Sequence, residues 1–204
     1  MIQSIDPSHN TGPDDPRTRA AKNVDAAIAI DRRFPENVFL GEWSAYLFFD
    51  PDLIFDRGFI EITKALLLCE HGTCICLRNL EVALTGDLEQ ASFFIDNQTS
   101  GKAYMGRLSA PIEGSNLVGW VHLMDHYGCA SDIGSWCIYC ERSNEIAVIA
   151  VRKDDDLVQL SPALELLQAL PVRQAMERPS SYGLSVRGMS ANTRAKLIQE
   201  YGSR

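Results

Sequence analysis

Trp136-Cys137-Ile138-Tyr139-Cys140, Glu141-Arg142-Ser143-Asn144 and Glu145-Ile146-Ala147-Val148-Ile149-Ala150-Val151-Arg152 follow one another without interruption. The first and third segments read as strands and the second as a short polar turn, so the stretch predicts a β-hairpin. Its second strand has almost no polar alternation, which predicts cover on both faces and places the hairpin in the middle of the fold. The same stretch carries Cys137-x-x-Cys140, a spacing shared with zinc knuckles and redox pairs. On a strand, however, residues three apart point to opposite faces, so these two thiols are predicted to be small buried apolar groups rather than a shared site.

Outward from the hairpin, the composition sets the class. The 204 residues are 46% hydrophobic and 23% charged, ordinary globular values that suit one domain with an appended tail. Lys plus Arg is 19 and Asp plus Glu is 27, a net charge of -8 with a pI near 5.0. That balance argues against nucleic acid as partner, because phosphate neutralisation needs a basic face. It argues equally against an anionic membrane surface and favours, through steering, a basic protein partner. The N-terminus has no basic region followed by an apolar run, and the longest apolar runs, Ala65 to Cys69 and Ile146 to Val151, are too short to span a bilayer. The expected location is cytoplasmic, with the six cysteines reduced.

Residues 1–16, with Pro7, Gly12, Pro13 and Pro16, read as a flexible lead-in to a single α+β domain over 17–204. Thr18 to Arg33 has helical spacing ended by Pro35, and Ala45 to Phe49 reads as a strand. Asp50-Pro51 is a cap followed by a first-turn proline. Phe55, Phe59, Ile62, Leu66 and Cys69 then share a helical face, with Gly72 as the stop. Thr73 to Leu80 predicts a strand with Cys74 and Cys76 on one face and Ile75 and Leu77 on the other. Gly86 to Gln98 is ambiguous, Lys102 to Leu108 is expected as a strand, and Trp120 to Tyr127 fits either element. Asp154 to Asp156 is expected as an acidic turn. Ser161-Pro162 opens a helix that Pro171 breaks, Arg178 to Gly188 is a loop, and Ser190 caps a last helix. The sum is a mixed or antiparallel sheet of about four to six strands with several helices against it.

Few residues offer chemistry. His122 and His126 stand four apart, which on a helix puts two imidazoles on one face. The Glu that a zinc hydrolase carries directly after the first His is replaced by Leu123. A metal at His122 and His126, or a nucleophilic pair of His126 with Cys129, are therefore the enzymatic alternatives. There is no phosphate-cradling glycine loop and no Gly-x-Ser-x-Gly elbow. Asp50, Asp52 and Asp56 lack the glycine and closing Glu of a calcium loop. No cofactor is expected. The binding candidates are Glu42, Trp43, Trp120, Asp125 and Tyr127, with Tyr46 and Tyr182 as further aromatics, because aromatic residues beside acids suit interface hot spots.

The aromatic segment Trp43-Ser44-Ala45-Tyr46-Leu47-Phe48-Phe49-Asp50 ahead of a helix, the Trp136 to Cys140 strand turning into Glu145 to Ala150, and acidic charge without a catalytic set resemble the small acidic immunity proteins of bacterial toxin competition systems. The resemblance spans residues 43–152. It implies stoichiometric binding to a cognate toxin and occlusion of the toxin's active site, and it assigns no individual residue. A hydrolase using His126 and Cys129 and a structural or assembly subunit stand as alternatives, and the oligomeric state is not read from the sequence.

Overall fold

In the computed structural model, which describes residues 15–83, 91–110, 119, 125–177 and 189–202, seven strands form one sheet. In chain order the elements are helix α1 (Pro16–Ala27), β1 (Ala45–Phe49), a 3₁₀ turn (Pro51–Phe55), α2 (Phe59–Glu70), β2 (Cys74–Asn79), α3 (Leu80–Ala83), β3 (Ser92–Asp96) and α4 (Gly101–Ser109). Then come β4 (His126–Ser131), β5 (Trp136–Glu141), β6 (Ile146–Val151), α5 (Asp154–Gln159), α6 (Ser161–Leu166), β7 (Leu170–Pro171), α7 (Val172–Glu177) and α8 (Ala191–Tyr201). The strand order is β3-β2-β4-β5-β6-β1-β7, and each neighbouring pair is antiparallel.

The hairpin occupies the centre, as its apolar run predicts. Every residue of β5 and β6 is buried, and register pairs Trp136 with Val151 and Glu141 with Ile146. Strand alternation divides the core in two. On one face Tyr127, Cys129, Trp136, Ile138, Cys140 and Ile149 meet α2, α4 and α6. On the other, Cys76, Ala130, Cys137, Tyr139, Val148 and Ala150 meet α1, α7 and α8. Cys137 and Cys140 are therefore on opposite faces, as strand geometry requires.

The second face is built for close approach. Cys76, Ala130, Cys137 and Ala150 pair laterally across β2, β4, β5 and β6, a row of small side chains. Helix α1 packs onto β2 and β4 beside that row. Gly128 completes the trough: a Cβ there would stand 2.5 Å from Ile28 Cδ1 and 3.0 Å from Val24 Cγ1. Large residues ring the trough, and Tyr201 of α8 stacks edge-on with Phe34, Tyr46 and Phe48. The Tyr201 hydroxyl accepts from Val38 N–H at 3.0 Å and donates to the Glu36 carbonyl at 2.6 Å, tying the last helix to the segment after α1.

Several expectations need correction. The sheet has seven strands, not four to six, because β3 emerges from the ambiguous segment and β7 is only two residues long. Lys102 to Leu108 is helix α4, not a strand. Ser100 Oγ accepts from Ala103 N–H at 3.1 Å, and Tyr104 and Leu108, one turn apart, are the buried pair. Helix α1 starts at Pro16, with Asp15 as its cap, and stops at Ala27 because Ile28 leaves to bridge with Phe39. The predicted Asp50 helix is two elements: the capped 3₁₀ turn, then α2, which ends on His71 in the left-handed region (φ 57°) rather than on Gly72. Asp154 to Asp156 is the first turn of α5, and Ser161 makes no side-chain cap bond to α6.

The trough gives a stability test. Gly128→Val drives a branched side chain into Val24 and Ile28. It is expected to lower unfolding stability by about 1–3 kcal/mol through overpacking, with Gly128→Ala less severe. Denaturant midpoints for the two variants check this; equal stability of Gly128→Val and the unchanged protein overturns it.

Candidate functional site

The expected chemistry converges on the end of the sheet where β4 begins, but with a different membership. His126 opens β4 opposite Glu141. Its ring lies between two carboxylates: Nδ1 is 3.1 Å from Glu81 Oε1 and Nε2 is 3.5 Å from Asp125 Oδ2. Glu81 is on the short helix that follows β2, an acid that the sequence reading passed over because no spacing links it to His126. Asp125 is further engaged by the β5–β6 turn, whose Ser143 donates both its N–H and its hydroxyl to the carboxylate, and Arg142 N–H donates to the Asp125 carbonyl at 2.8 Å. The Arg142 guanidinium covers the Phe55 ring at 4.4 Å and stands 3.5 Å from Asp52. The hairpin tip is thus tied to the 3₁₀ turn and to β4.

This group is the one set of three metal-capable side chains that the described residues bring together, with ligand atoms within 4.8 Å of one another. Its geometry limits what it holds. The carboxylates address different ring nitrogens, so an ion on Nδ1 gains Glu81 while Asp125 can only orient the opposite nitrogen. One imidazole and one carboxylate fall short of the three protein ligands of a catalytic zinc site. His122, the expected second imidazole, lies outside the described residues.

His126 and Cys129 do not form a nucleophilic pair. They are three residues apart on β4, and register sends them to opposite faces: Cys129 into the α2 face, the His126 ring toward Glu81. The thiols are also held protonated. Burial pushes Cys76 up to about 11 and Cys74 up to about 12, and raises Cys129, Cys137 and Cys140 too. Tyr127, expected on a binding surface, is fully buried and donates its hydroxyl to the Pro51 carbonyl at 3.0 Å. Trp43 is half-buried. Its Nε1–H donates to the Leu40 carbonyl at 2.8 Å, and Arg152 lies over its ring at 4.2 Å, with Glu42 exposed beside it. Trp120 and Tyr182 lie outside the described residues.

A second polar group closes the opposite end of the sheet. Asp132 accepts from Thr73 N–H and Cys74 N–H at 2.8 and 3.0 Å and from Arg19 at 2.8 Å. Glu70 accepts from the Ser135 hydroxyl and from Trp136 Nε1–H at 2.9 Å. Gly72 lies between the acids, since a Cβ there would stand 3.2 Å from an oxygen of each. Burial raises Glu70 despite its hydrogen bonds. For Asp132 burial pushes upward as well, but the donors from Thr73, Cys74 and Arg19 outweigh it and hold the carboxyl below its ordinary value. No buried side-chain polar atom in this group lacks a partner, and the group pins the end of α2 to the β4–β5 turn.

Two measurements follow. Native alkylation with mass-spectrometric mapping should label Cys69 alone, slowly at neutral pH, and label all six cysteines only after unfolding, because Cys69 is the one thiol that is not buried. Fast labelling of Cys129 overturns that reading. In pH-dependent melting, the folded protein holds a proton on Glu70 that the unfolded chain has already released. Stability therefore falls as pH rises from the ordinary carboxylate range to the raised Glu70 value. Glu70→Gln should accordingly gain stability relative to the unchanged protein across that window. The lowered Asp132 carries the opposite sign: its contribution is present above the ordinary value and is lost as pH falls through the folded value, so the penalty of Asp132→Asn should shrink in acid. Parallel melting curves at all pH values contradict both assignments. No known protein family, no curated protein and no solved structure matches this chain.

Proposed function

We propose that this chain is a protein-binding domain without chemistry of its own, acting stoichiometrically on a basic partner, and that the partner is a bacterial toxin which it neutralises as an immunity protein. The observation that carries the reading is the division between interior and surface. Five of the six thiols and Tyr127 are consumed by the core, whereas the described acids other than Glu70, Asp132 and Glu141 keep contact with water in a chain of net charge -8. Such a surface accelerates encounter with a cationic partner and discourages acidic competitors. The half-buried Trp43 beside exposed Glu42 supplies one aromatic and acidic patch of the kind such interfaces use.

The test uses the gene next to this one as the source of the toxin candidate. Expression of that product alone should arrest growth, co-expression with this chain should restore it, and the purified pair should sediment as a complex. Unchanged growth arrest together with separate sedimentation overturns the toxin reading. Hydrolysis by the purified chain that is abolished by His126→Ala overturns the non-catalytic one.

A further inference from the structure

The layer of helices over the Trp136 face of the sheet differs from the layer on the other side in what it leaves exposed. Among the described residues four large apolar side chains are exposed: Leu68, Val158 and Leu166 belong to this layer, and the fourth, Ile133, lies in the β4–β5 turn. Val158 is 75% exposed on α5 and Leu166 is 54% exposed on α6. Leu68, 76% exposed, is on α2 directly before Cys69, whose carbonyl accepts from the Gln159 side chain at the end of α5. Beside α5 and α6 an open cleft of about 550 Å³ is floored by Leu157, Leu164, Ala169 and Leu170, with Ser161 and Gln168 at its sides. Val158 and Leu166 stand on the two helices that line the cleft, outside its lining, and exposed apolar side chains of this size beside an apolar cleft mark a contact surface.

Charge then selects the occupant. From Asp154 to Val172 the chain carries Asp154, Asp155, Asp156 and Glu165 with no Lys or Arg, between the bases Arg152 and Lys153 before it and Arg173 after it. Asp154, Asp155 and Glu165 are exposed, and Glu165 lines the cleft itself. Glu165 on the cleft lining and the acidic first turn of α5, beside an apolar floor, complement a segment with apolar anchors and basic flanks. The form of that segment follows from the neighbouring sheet edge. Strand β7, which borders the cleft through Leu170, is two residues long and ends in Pro171, which has no N–H to offer. Strand addition is therefore blocked at this edge, and an amphipathic helix laid into the groove is the mode that remains.

We infer that the cleft between α5, α6 and β7 is the seat for a basic amphipathic helix of a partner protein, anchored by apolar side chains and steered by Asp154, Asp155, Asp156 and Glu165. This rests on the protein-binding reading above and gives that reading a location.

The test uses a fluorescent Leu/Lys peptide of roughly five helical turns, a Leu/Glu peptide of the same apolar pattern, and the full chain. The Leu/Lys peptide should bind and the Leu/Glu peptide should not. Ser161→Lys with Glu165→Lys, two exposed positions on the cleft lining, should weaken binding by about tenfold or more. Neutralising Asp154, Asp155 and Asp156 to Asn should weaken it at low salt and flatten its salt dependence. Circular dichroism and melting confirm that both variants fold, which exposed positions permit. No binding of the Leu/Lys peptide at about 1 mM overturns the proposal, as does binding that both variants retain. Self-association that covers the face, seen by sedimentation and lost in Ser161→Lys/Glu165→Lys, assigns the cleft to a second copy and overturns it too. If peptide binding behaves as expected while the neighbouring toxin is not neutralised, the seat stands and the toxin reading falls. Neutralisation that survives both variants has the reverse meaning.

Discussion

Everything in this molecule depends on burying a six-residue strand on both faces. Residues Ile146–Val151 carry no side chain that tolerates water, so the sheet needs cover above and below. That cover demands helices on each side, and helices need unequal spaces. On the Trp136 face the floor is large, with Trp136, Tyr127 and Ile138, and α2 and α4 stand off on bulky side chains. On the opposite face Cys76, Gly128, Ala130, Cys137 and Ala150 form a shallow trough, and α1 settles close to the backbone. Cys76 and Cys137 are there because a small apolar group is what that trough accommodates, while Cys140 packs into the other face.

Burial on both faces also dictates what happens at the strand ends, where polar backbone and acids meet the core. Buried Glu141, at the end of β5, accepts from Phe34 N–H and the Tyr139 hydroxyl, both at 2.7 Å, and from the Asn144 amide. At the other end Glu70 and Asp132 gather their donors from the β4–β5 turn, the start of β2 and Arg19 of α1. These acids are paid attention by neighbouring N–H and O–H groups rather than by substrate-sized space, and no buried side-chain polar atom among the described residues lacks a partner. A buried carboxylate so satisfied rigidifies a turn. The group around His126 differs in that Glu81 stays 42% exposed, which leaves it open to solvent exchange but with too few convergent ligands to hold an ion firmly.

What the sequence discloses follows the same physics. The central hairpin, β1 and β2 are legible because their apolar runs are longer than any turn signal nearby, and their face assignment follows from alternation alone. Helix α4 is missed because Lys102 to Leu108 mixes one aromatic, one Met and two basic residues, and only the Ser100 cap and the Tyr104–Leu108 spacing betray it. Strand β7 is invisible in principle: two residues ending in proline have no period, and Leu47 and Phe48 of β1 supply the pairing. At the candidate site, His126 and Asp125 are legible as residue types. Glu81 is not, because it reaches His126 only through the β2–β4 register, a contact across 45 residues of chain. Tyr127 is misjudged for the converse reason, since its neighbours Asp125 and His126 suggest a surface while alternation turns its ring into the core.

The two helical layers therefore do different work. The layer formed by α1, α7 and α8 is committed to the fold: its apolar positions meet the trough, and Tyr201 bonds both Val38 and Glu36. In the layer formed by α2, α5 and α6, α2 and α6 bury one side while α5 has no fully buried residue, and Leu68, Val158 and Leu166 stay in water. A chain that can place Ala163, Leu164 and Leu167 inward within a single six-residue helix and its cap has no folding need for Leu166 outward. Concentrating three consecutive acids at the start of α5, with Lys153 as the neighbouring base, opposes the compact state slightly through self-repulsion. Apolar exposure and clustered acidic charge are each unfavourable for an isolated fold, and both are relieved at once by a surface that is apolar and basic.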